Sequence, residues 1–220
     1  SRHYMLVTTT GSIQSNDMWI IDVEDVSHPT VIASLETGDE THTGGLLDVT
    51  LVEHHTGNFA YALQDSSTNQ LVVVDVSDPR TPVLVHTRSF EMYGVHPSGS
   101  NPEGRVITRY GNRLYIGLRT TIGPEFLVFD VEDNPRNPQF VGALPSSFDH
   151  SIYDIATNGA YAFLAIKPGN PPSGLPTREL IIIDVRETPR DTGGGFNATN
   201  TTNDTEGAMS LYLIGNTLYM

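Results

Sequence analysis

Three histidines, His42, His96 and His150, fall 54 and 54 residues apart, and they are the one regular spacing of side chains in this chain that could do chemistry. Neutral imidazoles brought together are good ligands for a divalent transition metal, and Asp39, Glu40 and Asp149 are near enough in sequence to add carboxylate oxygens. Histidines that cap a turn or bond a backbone carbonyl would recur with the same period, so both readings stand. The three lie 20, 21 and 20 residues after Asp22, Asp75 and Asp130, and a fourth copy places Asp204 at that offset from Asp184. Measured forward, His42 and His96 precede Gly57 and Gly111 by fifteen residues, whereas His150 precedes Gly159 by nine, so the connections differ in length. Tyr93 and Phe148, close to His96 and His150, have the flat apolar face that stacks on a sugar, the same face that closes a core.

Other handles for chemistry are missing. The sequence has no Gly-x-Ser-x-Gly elbow, no phosphate-binding Gly-x-x-x-x-Gly-Lys, no His-Glu-x-x-His and no EF-hand loop. Cysteine is absent, which removes disulfides, thiolate nucleophiles and zinc–thiolate sites. Glu53-His54-His55 precedes a Gly-Asn turn, and adjacent strand residues point to opposite sides, which argues against a joint site. The oxygens of Asp65 to Asn69 lack the alternating acids and the glycine of a calcium loop and read as a polar turn.

The elements that must position these residues are written four times. Met18 to Val23, Leu71 to Val76, Leu127 to Val131 and Leu180 to Val185 each carry an apolar run followed by Asp-Val, with the aspartates 53, 55 and 54 residues apart. A period of that size marks a tandem array of supersecondary units. After Asp75 and Asp130 the chain reads Ser77-Asp78-Pro79-Arg80-Thr81-Pro82 and Glu132-Asp133-Asn134-Pro135-Arg136-Asn137-Pro138. An aspartate that accepts the N–H two residues on, followed by prolines that fix φ, reverses a strand, so Asp22, Asp75, Asp130 and Asp184 read as structural turn residues. Gly-Asn or Asn-Gly pairs at Gly57, Gly111, Asn158 and Gly215 open a further strand from a hairpin, as in Gly57 to Tyr61. Another strand is predicted upstream of each pair, over Leu47 to Val52, Arg105 to Arg109, Ile152 to Ala156 and Ala208 to Ile214. The unit is therefore four antiparallel strands in about 54 residues with no helical periodicity, which predicts an all-β chain of β-propeller blades.

The apolar run with its aspartate, the Asp-Pro-x-x-Pro turn and the Gly-Asn-x-x-Tyr hairpin together resemble the LVIVD-repeat family. The resemblance spans nearly the whole chain, is densest over residues 57 to 85 and 111 to 144, and thins where Thr188 to Thr192 meets Gly193-Gly194-Gly195. It implies a propeller of the secreted or cell-surface kind, and transfers architecture without a reaction. The blade units predicted are 3–37, 45–90, 104–145 and 151–192, with another beginning at 207–220. His3 to Val7 aligns with the strand at Phe59, and Gly215 to Tyr219 repeats the hairpin at Gly57 and Gly111. The sequence is therefore expected to be an incomplete segment of a larger propeller.

There are 26 acidic residues against 12 basic, a formal net charge of −14. That balance excludes nucleic-acid backbones and anionic membranes as partners, since both need clustered cations. No segment approaches the ~20 consecutive apolar residues of a membrane span. Asn197, Asn200 and Asn203 each begin an Asn-x-Thr sequon within one polar stretch, which fits a glycosylated extracellular loop as well as an unmodified one. The inserts Glu91 to Gly104 and Lys167 to Thr177 exceed ordinary turns and are where a partner would be gripped. Two functions follow. The first is a non-enzymatic surface or adhesion module whose loops contact a glycan, a protein or a sister subunit. The second is a metal-binding propeller or metal-dependent enzyme built on His42, His96 and His150.

Overall fold

The computed structural model describes residues 2–10, 16–38, 45–64, 66, 69–95, 104–119, 123–144, 151–167, 178–196 and 208–220. Three four-stranded antiparallel sheets follow one another along the chain. They are β4 (Leu46–His54) to β7 (Val83–Arg88) through β5 (Gly57–Gln64) and β6 (Leu71–Asp75), then β8 (Gly104–Tyr110), β9 (Arg113–Leu118), β10 (Phe126–Asp130) and β11 (Gln139–Ala143), then β12 (Ser151–Thr157), β13 (Tyr161–Lys167), β14 (Leu180–Asp184) and β15 (Arg190–Phe196). Before them stands a three-stranded sheet of β1 (Tyr4–Thr8), β2 (Met18–Asp22) and β3 (Thr30–Leu35), and after them the pair β16 (Tyr212–Ile214) and β17 (Thr217–Tyr219). Every sheet is a simple meander, and among the described residues the one helical element is a 3₁₀ turn at Glu91–Tyr93.

The apolar run is not alternating because the strand that carries it is covered on both faces. In β6, Val72 and Val74 pack with Met18 and Ile20 of the first sheet, while Leu71 and Val73 pack with Leu114 and Phe129 of the third. All four β6 residues are fully buried. Each such side chain contributes about 1.5–3 kcal/mol relative to exposure, so these runs hold the sheets face to face. Leading strands lie beside one another in succession: β1 against β4, β4 against β8, β8 against β12 and β12 against β16.

The run ends in the same hydrogen bond four times. Oδ1 of Asp22, Asp75, Asp130 and Asp184 accepts the N–H of Glu24, Ser77, Glu132 and Arg186 at 3.0, 3.0, 2.8 and 3.2 Å. Asp25 and Asp78 repeat the device one turn later, accepting from Ser27 at 2.9 Å and Arg80 at 3.0 Å. The β8–β9 turn sits on Gly111 at φ 57°, a left-handed conformation that glycine adopts without a Cβ clash. The strand β15 forms despite Gly193-Gly194-Gly195, with Arg178 bonding the carbonyl of Gly194 at 3.2 Å and the carboxylate of Asp191 at 2.7 Å.

Neighbouring sheets are also tied by polar bonds. The Tyr61 hydroxyl donates to the Pro135 carbonyl at 2.8 Å, and burial pushes that phenol well above its ordinary range. Arg136 pairs with Asp75 across the same interface and lies 5.4 Å from the Phe59 ring centre. Arg113 donates to the carbonyls of Val185 at 2.6 Å and Arg186 at 3.2 Å. Each of β4, β8 and β12 carries a bulge near its start, at Leu46/Asp48, Gly104/Val106 and Ile152/Asp154. Asp48 follows the first bulge and bonds the Val49 N–H at 2.8 Å and, across to the third sheet, the Ile107 N–H at 2.9 Å. Asp154 does the same two sheets on, taking the Ile155 N–H at 2.8 Å and the Leu211 N–H at 2.7 Å.

Gly117 in β9 lies where the third and fourth sheets meet, and a Cβ there would come within 2.6 Å of Ile152 Cγ2 and 2.7 Å of Val106 Cγ1. Gly117→Ala is expected to destabilise the chain by about 1–3 kcal/mol through overpacking, read as a lower urea midpoint with unchanged slope. The turn acids make a second expectation. Arg186 bonds and charge hold Asp184 at about 2, and Asp75 is held below the usual carboxylate range because Ser77 and Arg136 outweigh its burial. Groups whose folded pKa is depressed stabilise above the unfolded value, near pH ~3.9, and that contribution is lost as the pH falls through the folded value. Urea midpoints should therefore drop steeply below about pH 4, and Asp184→Asn should flatten the lowest part of that fall.

Candidate functional site at the loop end of the sheets

All sheets present the same two ends. At one end the first strand turns tightly into the second and the third into the fourth, through the Gly-Asn and Asp-Pro turns. At the other end lie Leu46, Gln64, Gln70 and Arg88 in the second sheet, and the equivalent residues elsewhere, so every sheet-to-sheet connection leaves and returns there. His42 belongs to the connection from β3 to β4, His96 to that from β7 to β8, and His150 to that from β11 to β12. His42, His96 and His150 lie outside the described residues, as do Asp39, Glu40, Phe148, Asp149, Asp204 and the sequon residues Asn197, Asn200 and Asn203.

What the structure does place is the apparatus that starts these connections. Asp17 is nearly buried, and its carboxylate accepts the Thr37 N–H at 3.0 Å and the Thr37 hydroxyl at 2.8 Å. In the next sheet, buried Gln70 uses Oε1 to accept the Phe90 N–H at 2.8 Å. Thr37 and Phe90 stand two residues beyond β3 and β7, so in both sheets a buried side chain at the head of the strand before the last pins the chain as it leaves the last. Glu125 and Glu179 occupy the same place in the third and fourth sheets and are also buried. A repeated backbone bond marks the position: Thr9, Gln64, Leu118 and Ile166 each donate to the carbonyl of Asp17, Gln70, Glu125 or Glu179 at 2.8–2.9 Å. These four were not singled out in the sequence, although each stands five residues before a repeat aspartate.

Burial raises the Asp17 carboxyl above its ordinary value, against the lowering effect of the two Thr37 bonds. Asp48 is raised in the same way, chiefly by burial, with the Ile107 and Val49 bonds opposing and the charge of Asp154 adding.

Tyr93 stands in the 3₁₀ turn that follows β7. Its ring stacks on Phe140 with centres 4.1 Å apart and meets Phe129 edge-on at 5.4 Å, and its hydroxyl takes a bond from Arg88. Arg88 also reaches Asn137 in the third sheet, so this cluster closes the outer rim between two sheets. His86 beside it is pushed below its ordinary value by burial and by the Arg88 charge. His54 and His55 sit at the opposite end from the loops. Their ring centres are 4.0 Å apart, closer than strand alternation predicts, because His55 has left β4 and entered the turn. Both His54 nitrogens are engaged, at 2.7 Å with the Thr56 hydroxyl and 2.9 Å with the Glu132 carbonyl. Among the described residues no group of three or more His, Asp or Glu side chains is arranged to hold a metal ion.

The model of the LVIVD repeat matches residues 12–37 and 56–88. The chain carries LVIVD repeats. The matched segments contain β2 with β3 and β5 with β6 and β7, and the third and fourth sheets repeat the same aspartate bond outside them. No curated protein matches the chain. Among solved structures, the LVIVD-repeat chain is similar to a chain of the S. cerevisiae assembly of Dbp5 with Nup159, Gle1, IP6 and ADP, at 13% identity and a TM-score of 0.45 over 86% of this chain. It is also similar to the Bacteroides ovatus structure described as Xyloglucan PUL GH43B, at 15% identity and a TM-score of 0.41 over 91% of this chain. It spans 45% and 39% of those two chains, less than half of either. Likenesses at this level carry no argument about binding or activity. No helix among the described residues is long and apolar enough to cross a membrane.

The tether at the head of the third strand has a measurable role. Gln70→Leu leaves the Phe90 N–H buried without its acceptor, at an expected cost of about 1–3 kcal/mol. Faster amide exchange should appear at Phe90 and the neighbouring 3₁₀ turn before it appears in β6.

Proposed function

We propose that the stacked sheets are blades of a β-propeller larger than residues 1–220, and that it serves as a non-enzymatic binding module at a cell surface or outside the cell. The observation that carries this reading is the division of labour between the two ends of the sheets. One end is closed by short Asp-Pro and Gly-Asn turns whose carboxylates are spent on backbone N–H groups. The other gathers every connection between sheets, the long stretch from Arg88 to Gly104 among them, together with the long connection from Lys167 to Arg178 within the fourth sheet, beside strand ends pinned by Asp17 and Gln70. Long loops on a rigid base are the usual seat of recognition. The acidic balance of the chain favours a glycan, a protein or a sister subunit over nucleic acid. The sequons at Asn197, Asn200 and Asn203 support an extracellular setting.

A glycan and surface-protein array probed with the wild type and with two loop variants tests this. In the variants 96–103 or 168–177 is replaced by Gly-Ser of equal length. Binding that is lost in either variant while the urea midpoint is kept supports the loop end as the contact face; binding that survives both removes it. The period of His42, His96 and His150 supports a second reading, a metal-binding propeller. Stoichiometric metal in the wild type that disappears in the triple alanine variant would replace the first reading with the second.

A further inference from the structure

The leading strands of the second, third and fourth sheets each begin with a bulge, and the extra residues in them are Leu47, Arg105 and Tyr153. These strands lie side by side, so an apolar side chain, a guanidinium and a phenol take equivalent places at the loop end. The residue after the bulge is an acid in two of the sheets, Asp48 and Asp154, but Val106 in the third. Both acids are spent on neighbours. Asp48 accepts the N–H groups of Val49 and Ile107, and Asp154 accepts those of Ile155 and Leu211 and, at 3.1 Å, the Ser210 hydroxyl.

Arg105 is left with its ring contact. Its guanidinium lies 3.8 Å from the centre of the Tyr153 ring, between two complete four-stranded sheets, and neither residue is fully buried. Among the described residues Arg105 has no ion pair and no hydrogen bond, and the Tyr153 hydroxyl has no bond either. Other arginines are engaged: Arg136 pairs with Asp75, Arg178 with Asp191 and Arg186 with Asp184. Stacking occupies the face of a guanidinium and leaves its in-plane N–H groups free, while the ring holds the fork in place. A fork already ordered loses little freedom when it closes on an oxyanion.

We propose that Arg105, held on Tyr153, is a carboxylate-binding subsite at the loop end, and that its ligand is a glycan bearing a sugar acid. The inference deepens the reading of the loop end as a contact face and rests on it. The fork of Arg105 matches both oxygens of a carboxylate, and the Tyr153 hydroxyl beside it can donate or accept. A sugar acid presents that pairing within one ring, with a hydroxyl on the carbon next to the one that carries the carboxylate. An acidic peptide offers its carboxylate on a flexible stem with no hydroxyl beside it.

The test is calorimetry of the 220-residue chain with a trisaccharide ending in glucuronate, with the methyl ester of that trisaccharide, and with the peptide Gly-Glu-Gly. The Nε–H resonance of Arg105 is followed in parallel. Saturable binding of the acid alone, with a shift of that resonance, is expected. Arg105→Gln should weaken it roughly tenfold or more, Arg105→Lys should recover only part of the loss because it restores charge without the fork, and Tyr153→Leu should weaken binding with the charge in place. If a variant loses its urea midpoint, the wild-type resonance and the ester carry the test. Equal binding of the ester, acid binding unchanged in Arg105→Gln, or no binding of the acid would overturn the proposal; so would the peptide binding in its place, which would assign the subsite to an acidic polypeptide. The loop replacements separate this inference from the reading beneath it. Acid binding that needs Arg105 but survives both replacements keeps the subsite and removes the loops as the contact face, whereas an array ligand lost with the loops but indifferent to Arg105→Gln does the reverse.

Discussion

Everything in this chain depends on packing sheet against sheet, so that the second and third sheets are covered on both faces. A strand covered from two sides has no solvent face, so its side chains must be apolar at every position and its polar ends must be dealt with at once. The run from Leu71 to Val74 meets the first condition, with all four residues fully buried between two sheets. The second is met at both ends by a side chain. At the tail Asp75 accepts the Ser77 N–H at 3.0 Å, and at the head Gln70 accepts the Phe90 N–H at 2.8 Å. The Phe90 N–H is buried, and a buried amide left without a partner costs about 1–3 kcal/mol, so the cap at the head is part of the packing problem. The recurrence of these caps with the apolar run makes the unit one physical solution repeated.

The tail of that unit was readable in the sequence and the head was not. Asp followed by a polar residue and proline has a local mechanism, the acceptance of an N–H two residues on, and the structure shows that bond in all four copies. Asp17, Gln70, Glu125 and Glu179 give no local signal, because an acid or amide before a strand looks like the last residue of an exposed loop. Their burial comes from the chain returning over them after the fourth strand, a contact made twenty residues later between Asp17 and Thr37 and between Gln70 and Phe90. Only the constant five-residue offset from the repeat aspartate marks them.

Strands were legible because their flanking turns are, yet the bulges at the starts of β4 and β12 were not. No glycine or proline marks Leu47 or Tyr153. Asp48 and Asp154 follow those two bulges, and their carboxylates reach an N–H in the following sheet, a tertiary contact without a local sequence rule. Of the candidate residues named for chemistry, Tyr93 is placed by its stacking on Phe140, a partner 47 residues away that spacing arguments could not supply. His42, His96 and His150 lie outside the described residues, in connections whose flanking strand ends face one end of the sheets.

Arg113 grips the backbone of Val185 and Arg186 rather than side chains, and Tyr61 grips the Pro135 carbonyl in the same manner. Carbonyl oxygens are present whatever residue occupies the position, so these links tolerate drift in the sequence of the turn they hold. They also join only adjacent sheets. An assembly bound in this way can gain or lose a unit by duplication or deletion, since the new junction offers the same backbone acceptors as the old one. The number of sheets is therefore free to vary in evolution while the junction chemistry stays fixed.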